Sequence, residues 1–315
     1  MRYVFRTDAS TEIGSGHVMR SSAIAEEMIA RGLRTVFVGG ISNMPWVSER
    51  IQSLGFESIV HDSRDFVSHP ESDVLILDSY QIPKSENFIQ PSKWRAIVCI
   101  QDPESPEYFC NLRVHPGLAS FWPGESIIQT LNGPKFIPLR KSIKYINRKM
   151  GAELNIIVVG GGADLYGFVP ILANLLSKIH ENFHVSLISN SKEFKDLDNR
   201  FSVFPNGPIL DELANKADLV FTTASTTCLE FLARGCAVAV GCSVKNQESN
   251  YIELGNLGVV AQIGVRVDHV WQMNDELIKN LVKSKSLRAA IRSKSSSLID
   301  LNGASRIVDN IVNIS

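Results

Sequence analysis

The sequence predicts an α/β protein made of two doubly wound domains facing a central cleft. Three observations carry that prediction. Short, nearly continuous apolar runs such as Asp73–Asp78 read as strands buried on both faces. Helical patterns lie between these runs, and such alternation argues for parallel sheets covered by helices. With 315 residues, 44% hydrophobic and 21% charged, the chain is long for one core and can bury apolar surface in two.

The elements follow in order. Residues 2–6 (RYVFR) form the first strand pattern, and a loop runs from Thr7 to Gly16. A helix is expected over residues 17–31, with Val18, Ala25 and Ile29 on one face and Gly32 just past its end. Strand patterns at Thr35–Val38 and Ser58–Val60 flank a helix over residues 46–54. Asp73–Asp78 and Ala96–Ile100 are buried strands. Residues 116–138, rich in Gly, Pro and polar side chains, break the pattern, and a helical segment carrying Lys141, Lys144 and Arg148 is expected after them. The alternation restarts at Leu154–Val159, so the expected domains are residues 1–149 and 150–315. The second half continues with strand patterns at 185–188, 217–221, 236–240 and 259–263. Two or three polar-faced helices then close the chain.

Composition narrows the function classes. The formal net charge is −1, from 32 basic and 33 acidic side chains well mixed along the chain, so no basic stripe awaits a nucleic acid. The apolar runs fall far short of the ~20 residues that span a bilayer. The chain opens directly on a strand pattern with no signal peptide. Its five cysteines, Cys99, Cys110, Cys228, Cys236 and Cys242, never form CxxC, so reduced thiols are the expectation. A cytoplasmic protein with no stable membrane insertion and no nucleic-acid partner is expected, with a monomer favoured.

Three loops carry candidate chemistry. The first is Arg6-Thr7-Asp8-Ala9-Ser10 with Gly14-Ser15-Gly16-His17-Val18-Met19-Arg20, between the first strand and the first helix. Gly14 and Gly16 permit close backbone approach to a ligand. His17 would sit in the first turn, where the helix dipole disfavours imidazolium and leaves a base, with Arg20 one turn on along the same face. The alternative is a glycine-rich turn with an exposed histidine. The second loop, Gly160-Gly161-Gly162-Ala163-Asp164, precedes a helix near Tyr166 and offers free amides to a phosphate, or is an ordinary tight turn. It matches neither GxGxxG nor a P-loop. The third, Thr222-Thr223-Ala224-Ser225-Thr226-Thr227-Cys228-Leu229-Glu230, suits a diphosphate, with the Glu230 carboxylate placed to accept ribose hydroxyls. Thr227 and Glu230 also have capping-box spacing. Lys245-Asn246-Gln247-Glu248 opens a further helix after a strand.

Other chemistries lack their patterns. The seven histidines form no HExxH or metal-ligand spacing, and no GxSxG is present. The single DxD, Asp196-Leu197-Asp198, lies among charged residues with no strand leading into it. Metal-independent chemistry without a cofactor is therefore expected.

Taken together, these segments resemble the UDP-sugar hydrolases of the pseudaminic acid pathway, the PseG/SpsG family. The resemblance extends through Asp78-Ser79-Tyr80, Pro138-Leu139-Arg140, Gly161 to Asp164, Ser225 to Glu230 and Lys245-Asn246-Gln247. It implies a GT-B fold of two Rossmann-like domains, the C-terminal one holding the nucleotide. The implied reaction is inverting, metal-independent hydrolysis of UDP-2,4-diacetamido-2,4,6-trideoxy-β-L-altropyranose to UDP and free sugar. His17 is then the general base. Asp8, Gly14, Ser15, Gly16, Arg20, Tyr80 and Arg140 are expected to bind substrate. Gly161, Gly162, Asp164, Ser225, Thr226, Thr227, Glu230, Asn246 and Gln247 are expected to bind UDP. The chemistry is consistent, because UDP leaves readily and the enzyme need supply only an oriented water and a proton acceptor.

The pattern is broken at two places. The family's Asp-Asp pair after the fifth strand reads Gln101-Asp102-Pro103, and an expected asparagine is His115; both places are read as bordering the sugar, with a packed loop histidine as the alternative for His115. Two rivals stand beside the hydrolase. One is an inverting GT-B glycosyltransferase using UDP-GlcNAc or a related donor. The other is a nucleotide-sugar-binding module, in which the Gly-Ser-Gly-His loop has no evident use.

Overall fold

Strand order decides where this protein brings its loops together. The computed structural model describes residues 1–102, 106–118, 128–147, 153–162, 164–190, 194 and 197–315. These divide into two compact units, Met1–Lys141 with Leu301–Ser315, and Ser142–Asp300.

The first unit is built on strands β1 (Arg2–Thr7), β2 (Thr35–Val38), β3 (Ser58–Val60), β4 (Asp73–Asp78), β5 (Ala96–Ile100), β6 (Leu112–Val114) and β7 (Gln129–Leu131). Their order is β3-β2-β1-β4-β5-β6-β7, and every pairing is parallel. The chain reverses direction across the sheet between β1 and β4, so the crevice for a ligand opens at their carboxyl ends. β4 is buried at all six positions, as its unbroken apolar run requires. Alternate residues feed two cores. Tyr3, Phe5, Val74 and Ile76 face helix α1 (Gly16–Ala30), while Val4, Leu75 and Leu77 pack with Ile82, Phe88, Ile89 and Trp94 of the loop after β4. α1 ends against Gly32, whose φ of 74° no branched side chain accepts cheaply. Helix α2 (Pro45–Ser53) starts with proline in its first turn, where a missing N–H costs nothing.

The second unit repeats the plan with β8 (Leu154–Val159), β9 (Phe183–Ile188), β10 (Phe201–Phe204), β11 (Leu219–Thr223), β12 (Ala237–Cys242), β13 (Ala261–Val267) and β14 (Val270–Met273). The order is β10-β9-β8-β11-β12-β13-β14, parallel except for the antiparallel β13–β14 hairpin. Its reversal lies between β8 and β11. Helices α3 (Phe168–Ser177), α4 (Ile209–Lys216), α5 (Thr226–Ala233), α6 (Glu248–Leu257), α7 (Asp275–Lys283) and α8 (Lys285–Ser295) belong to this unit. Val158, Phe168, Leu172, Phe183, Phe221 and Ile263 are central to its core.

Two expectations change. The last helix, α9 (Gly303–Asn313), belongs to the first unit, where Ile307, Val308 and Ile311 pack with Ile24 and Met28 of α1. Gly303 is needed there because a Cβ would run into the Ile137 carbonyl. The helix expected around Lys141 and Lys144 is turn and coil through residue 147, and Tyr145 instead packs against Gly235. Strands β6, β7, β10 and β14 escape sequence reading because each has three or four residues and mixed polarity. Pro103, Arg148, the expected boundary at 149/150, Ala163 and Asp196 lie outside the described residues.

Candidate active site

The carboxyl ends of β1, β4 and β5 converge on one hydrogen-bonded network. His17, in the first turn of α1, places Nδ1 2.6 Å from Asp78 Oδ1 at the end of β4. In the neutral ring a nitrogen that close to a carboxylate oxygen carries the proton and donates it, which leaves Nε2 with the lone pair. Arg20, one turn further along α1, donates to both Asp78 oxygens at 2.7 and 2.6 Å and to Asp102 Oδ2 at 3.1 Å. Ser21 Oγ adds a donor to Asp78 at 3.0 Å. Tyr80 donates its hydroxyl to Asp102 Oδ2, and its ring stands edge-on to His17 with centroids 4.3 Å apart at 85°.

Burial by itself would raise the Asp78 carboxyl, but Arg20 and then His17 reverse this and hold it near a pKa of about 2. Asp102 is likewise lowered against its burial, by Arg20 and by the Tyr80 hydroxyl. Burial and the neighbouring Asp102 keep the Tyr80 phenol protonated well above its ordinary range, against the pull of Arg20. Two charged carboxylates thus share one guanidinium.

The geometry gives Arg20 a structural role beside the expected one: its side chain is buried and its bonds clamp two carboxylates together. Asp8 is also engaged: Oδ1 accepts from the Gly40 amide at 2.8 Å and Oδ2 pairs with Arg6 at 2.6 Å. It ties the loop after β1 to the loop after β2. Gly14 (φ 83°) closes a turn in which its amide bonds to Ser10 O at 2.7 Å. Ser10 Oγ accepts from the amides of Glu12 and Ile13, a role the motif reading missed. Ser15 and Gly16 lead directly into α1 beside His17, and Ser15 occupies the cap position without a side-chain bond. Arg140 lies half-buried in the segment leading to Lys141.

Asp78 and Asp102 stood in segments singled out from the sequence but had no role assigned to them; the signal was a carboxylate standing at or just past the end of a buried strand. Gln101 is structural, donating to Pro106 O at 2.6 Å and accepting from buried Arg113 at 3.2 Å. His115 is buried as expected, with Nδ1 3.2 Å from the Gln101 carbonyl and 4.0 Å from Asp102 Oδ1.

In the second unit, the loops after β8, β11 and β12 meet at its own reversal point. Gly161 (φ 89°) lies so that a Cβ would stand 3.9 Å from Thr223 Oγ1 and 4.0 Å from Ser225 Oγ. Those two oxygens are 3.3 Å apart. Gln247 accepts from Ser243 N and Oγ at 3.0 and 2.9 Å and donates to Thr223 at 3.4 Å, bracing the cluster. Asn206 donates to Gly162 O at 3.2 Å. Ser225 caps α5 without a side-chain bond, and Thr226 and Thr227 form its first turn. The capping box expected from Thr227 and Glu230 is therefore not the cap of this helix; half-buried Glu230 lies further along α5. Asn246 is exposed. Asp164 is a second correction. It accepts from the Phe168 and Val169 amides at 2.9 and 3.0 Å, filling the α3 N-terminus that had been expected to bind phosphate.

No protein-family model matches the chain. It is 25% identical over 269 residues to an uncharacterised protein of Methanocaldococcus jannaschii, covering 76% of this chain and 55% of that one. The chain thus spans about half the length of that relative. It is also 22% identical over 275 residues to the UDP-2,4-diacetamido-2,4,6-trideoxy-β-L-altropyranose hydrolase of Campylobacter jejuni, covering 82% of this chain and 97% of that protein. Among solved structures it is similar to Acinetobacter baumannii MurG, with a TM-score of 0.64, 12% identity and coverage of 99% and 100%. Anabaena HepE, solved with UDP and glucose, has a TM-score of 0.64 at 13% identity and 99% coverage of both chains.

The fold is GT-B. Within it, the His17 network places an imidazole and fixed charge at the crevice of the first sheet, while the second sheet presents amides and hydroxyls at the same topological position. Among the described residues, no group of three His, Cys, Asp or Glu side chains is arranged to hold a metal. All five cysteines are buried and outside any disulfide, and among the described residues no helix is long and apolar enough to cross a membrane. The chain thus has distant sequence similarity to a UDP-sugar hydrolase and shares the fold of solved glycosyltransferases.

Proposed function

We propose that this protein hydrolyses a UDP-activated amino sugar to UDP and the free sugar, with His17 as general base. The observation that carries the reading is the His17–Asp78 pair at the β1/β4 reversal. Asp78 fixes the tautomer, so that Nε2 accepts the proton of an attacking water. The water oxygen bonds to the anomeric carbon, the bond from that carbon to the diphosphate oxygen breaks, and UDP leaves with the electron pair. As His17 becomes imidazolium, the adjacent Asp78 carboxylate stabilises the new charge. Water as acceptor, inversion, metal independence and a 2,4-diacetamido-trideoxy sugar are proposed from the likeness to the Campylobacter jejuni hydrolase, which covers 97% of that protein.

UDP is assigned to the second unit: Gly161, Gly162, Ser225, Thr226 and Thr227 around the diphosphate or uridine, and Glu230 on the ribose. Gln247 and Asp164 hold these loops in shape. Ser15, Gly16 and Tyr80 are assigned to the sugar side. The test is UDP release from a panel of UDP-amino sugars in EDTA with no acceptor added. Rapid stoichiometric release that His17→Asn abolishes, with UDP affinity within a few-fold, supports the hydrolase. UDP binding without release from any donor rejects hydrolysis in favour of a glycosyltransferase.

A further inference from the structure

Asp164 fills the amino end of α3 from inside the loop assigned to the diphosphate. Its backbone stands at φ 45°, a left-handed conformation that aspartate and asparagine adopt more readily than most residues. The carboxyl group turns back to accept from the Phe168 and Val169 amides at 2.9 and 3.0 Å. It also lies against the Gly160 backbone, where a Cβ would stand 2.1 Å from Oδ1. The side chains that face this loop are neutral: Asn206 reaches the Gly162 carbonyl, and Thr223 and Ser225 lie beside Gly161. Arg266 sits over the ring of Tyr166, two residues on, but does not act on the Asp164 carboxyl. Among the described residues this carboxyl is therefore held by two amides and no cation, whereas Asp78 has the Arg20 guanidinium. Burial pushes its pKa up to about 6, against the pull of the two amides.

We propose that nucleotide binding to the second unit is coupled to the uptake of a proton by Asp164. The inference rests on the assignment of the diphosphate to Gly161 and Gly162, and deepens it. A diphosphate seated there brings further negative charge beside a carboxyl group two positions along the same loop. Like charges disfavour ionisation, and in a largely buried setting the repulsion is weakly screened. The carboxyl takes a proton from solvent as the nucleotide enters and returns it as the nucleotide leaves. A protonated carboxyl keeps an acceptor oxygen, so the α3 cap survives while the repulsion disappears. By linkage, a UDP-sugar is held more tightly on the acid side of the Asp164 titration than on the alkaline side.

The test is calorimetric titration of UDP-N-acetylglucosamine at pH 6.5 in buffers of different ionisation enthalpy, which counts the protons taken up per nucleotide bound. This donor is chosen because the terminal phosphate of UDP itself titrates near about 6 and would add its own proton. An upward shift of one unit from about 6 gives uptake of roughly half a proton at that pH. The same shift makes binding about eight-fold weaker at pH 8 than at pH 5. Asp164→Asn suits the same backbone and keeps one acceptor for the α3 amides. It should abolish the uptake and leave affinity within about two-fold across that range. No proton uptake in wild type overturns the proposal, whether or not the variant folds. Uptake that persists in Asp164→Asn belongs to another group and also overturns it. Failure of wild type to bind either UDP or UDP-N-acetylglucosamine is a separate outcome that removes the nucleotide assignment, and this inference with it.

Discussion

Nδ1 of His17 and Oδ1 of Asp78 lie 2.6 Å apart although 61 positions separate the two residues in the chain. The contact exists because β1 and β4 are neighbours in the sheet, with Thr7 beside Asp78 at their carboxyl ends. A histidine at the start of the helix after β1 therefore meets a carboxylate closing β4.

Asp78→Asn should leave the ring of His17 in place but reverse which nitrogen carries the proton. Turnover of the UDP-sugar is expected to fall by roughly 10²–10⁴-fold, with KM changed far less, as happens when an orienting carboxylate is neutralised. Steady-state UDP release checks this. An unchanged kcat would remove Asp78 from the mechanism.

Arg20→Lys should not rescue the clamp, because one ammonium cannot reproduce a fork bonded to Asp78 and Asp102 together. Arg20→Ala takes from the Asp78 and Asp102 carboxylates the cation they share and should cost about 3–5 kcal/mol in denaturant unfolding. A loss below about 1 kcal/mol would mean that the clamp is dispensable to the fold.

Stability should depend on acid through Asp78. Its folded pKa, about 2, lies below the ordinary carboxylate value of 3.8, so the native state favours the ionised form. The resulting stabilisation is fully present above pH 4 and is lost as pH falls toward 2. At 1.36 kcal/mol per unit it amounts to about 2 kcal/mol. Unfolding of wild type and Asp78→Asn compared between pH 5 and 2 should show this slope in wild type and its loss in the variant.

Gln247→Ala removes the brace between Ser243 and Thr223. UDP affinity is expected to fall by roughly three- to ten-fold, in line with about 1 kcal/mol for a lost hydrogen-bonded support. Turnover at saturating substrate should stay within about two-fold, since the His17 network belongs to the other unit. A large drop in saturated turnover with unchanged UDP affinity would reject this division of labour.

Much was legible in the chain itself. Apolar runs and helical periodicity located β1, β4, β5, β8, β11 and β12 to within a residue or two, because strands buried on both faces write their burial into consecutive positions. The loops carrying His17, Gly161 and Ser225 were also evident, since a break between strand and helix marks the ligand end of a parallel sheet. Short strands such as β6 and β7 were not, for Arg113 in one and Gln129 and Thr130 in the other break their apolar runs.

What the sequence determined by itself was the alternation of elements and which loops stand at strand ends, both set by local hydrophobic pattern and backbone freedom. Only the tertiary structure decided that Arg20 clamps two aspartates, that Asp164 caps α3 and that α9 returns to the first unit. The physical reason is that a side chain's partner depends on strand order and on the direction its Cβ points after packing. Neither is written in the periodicity of a single segment, so polar residues of similar local appearance took the roles of clamp and cap only once the sheets had formed.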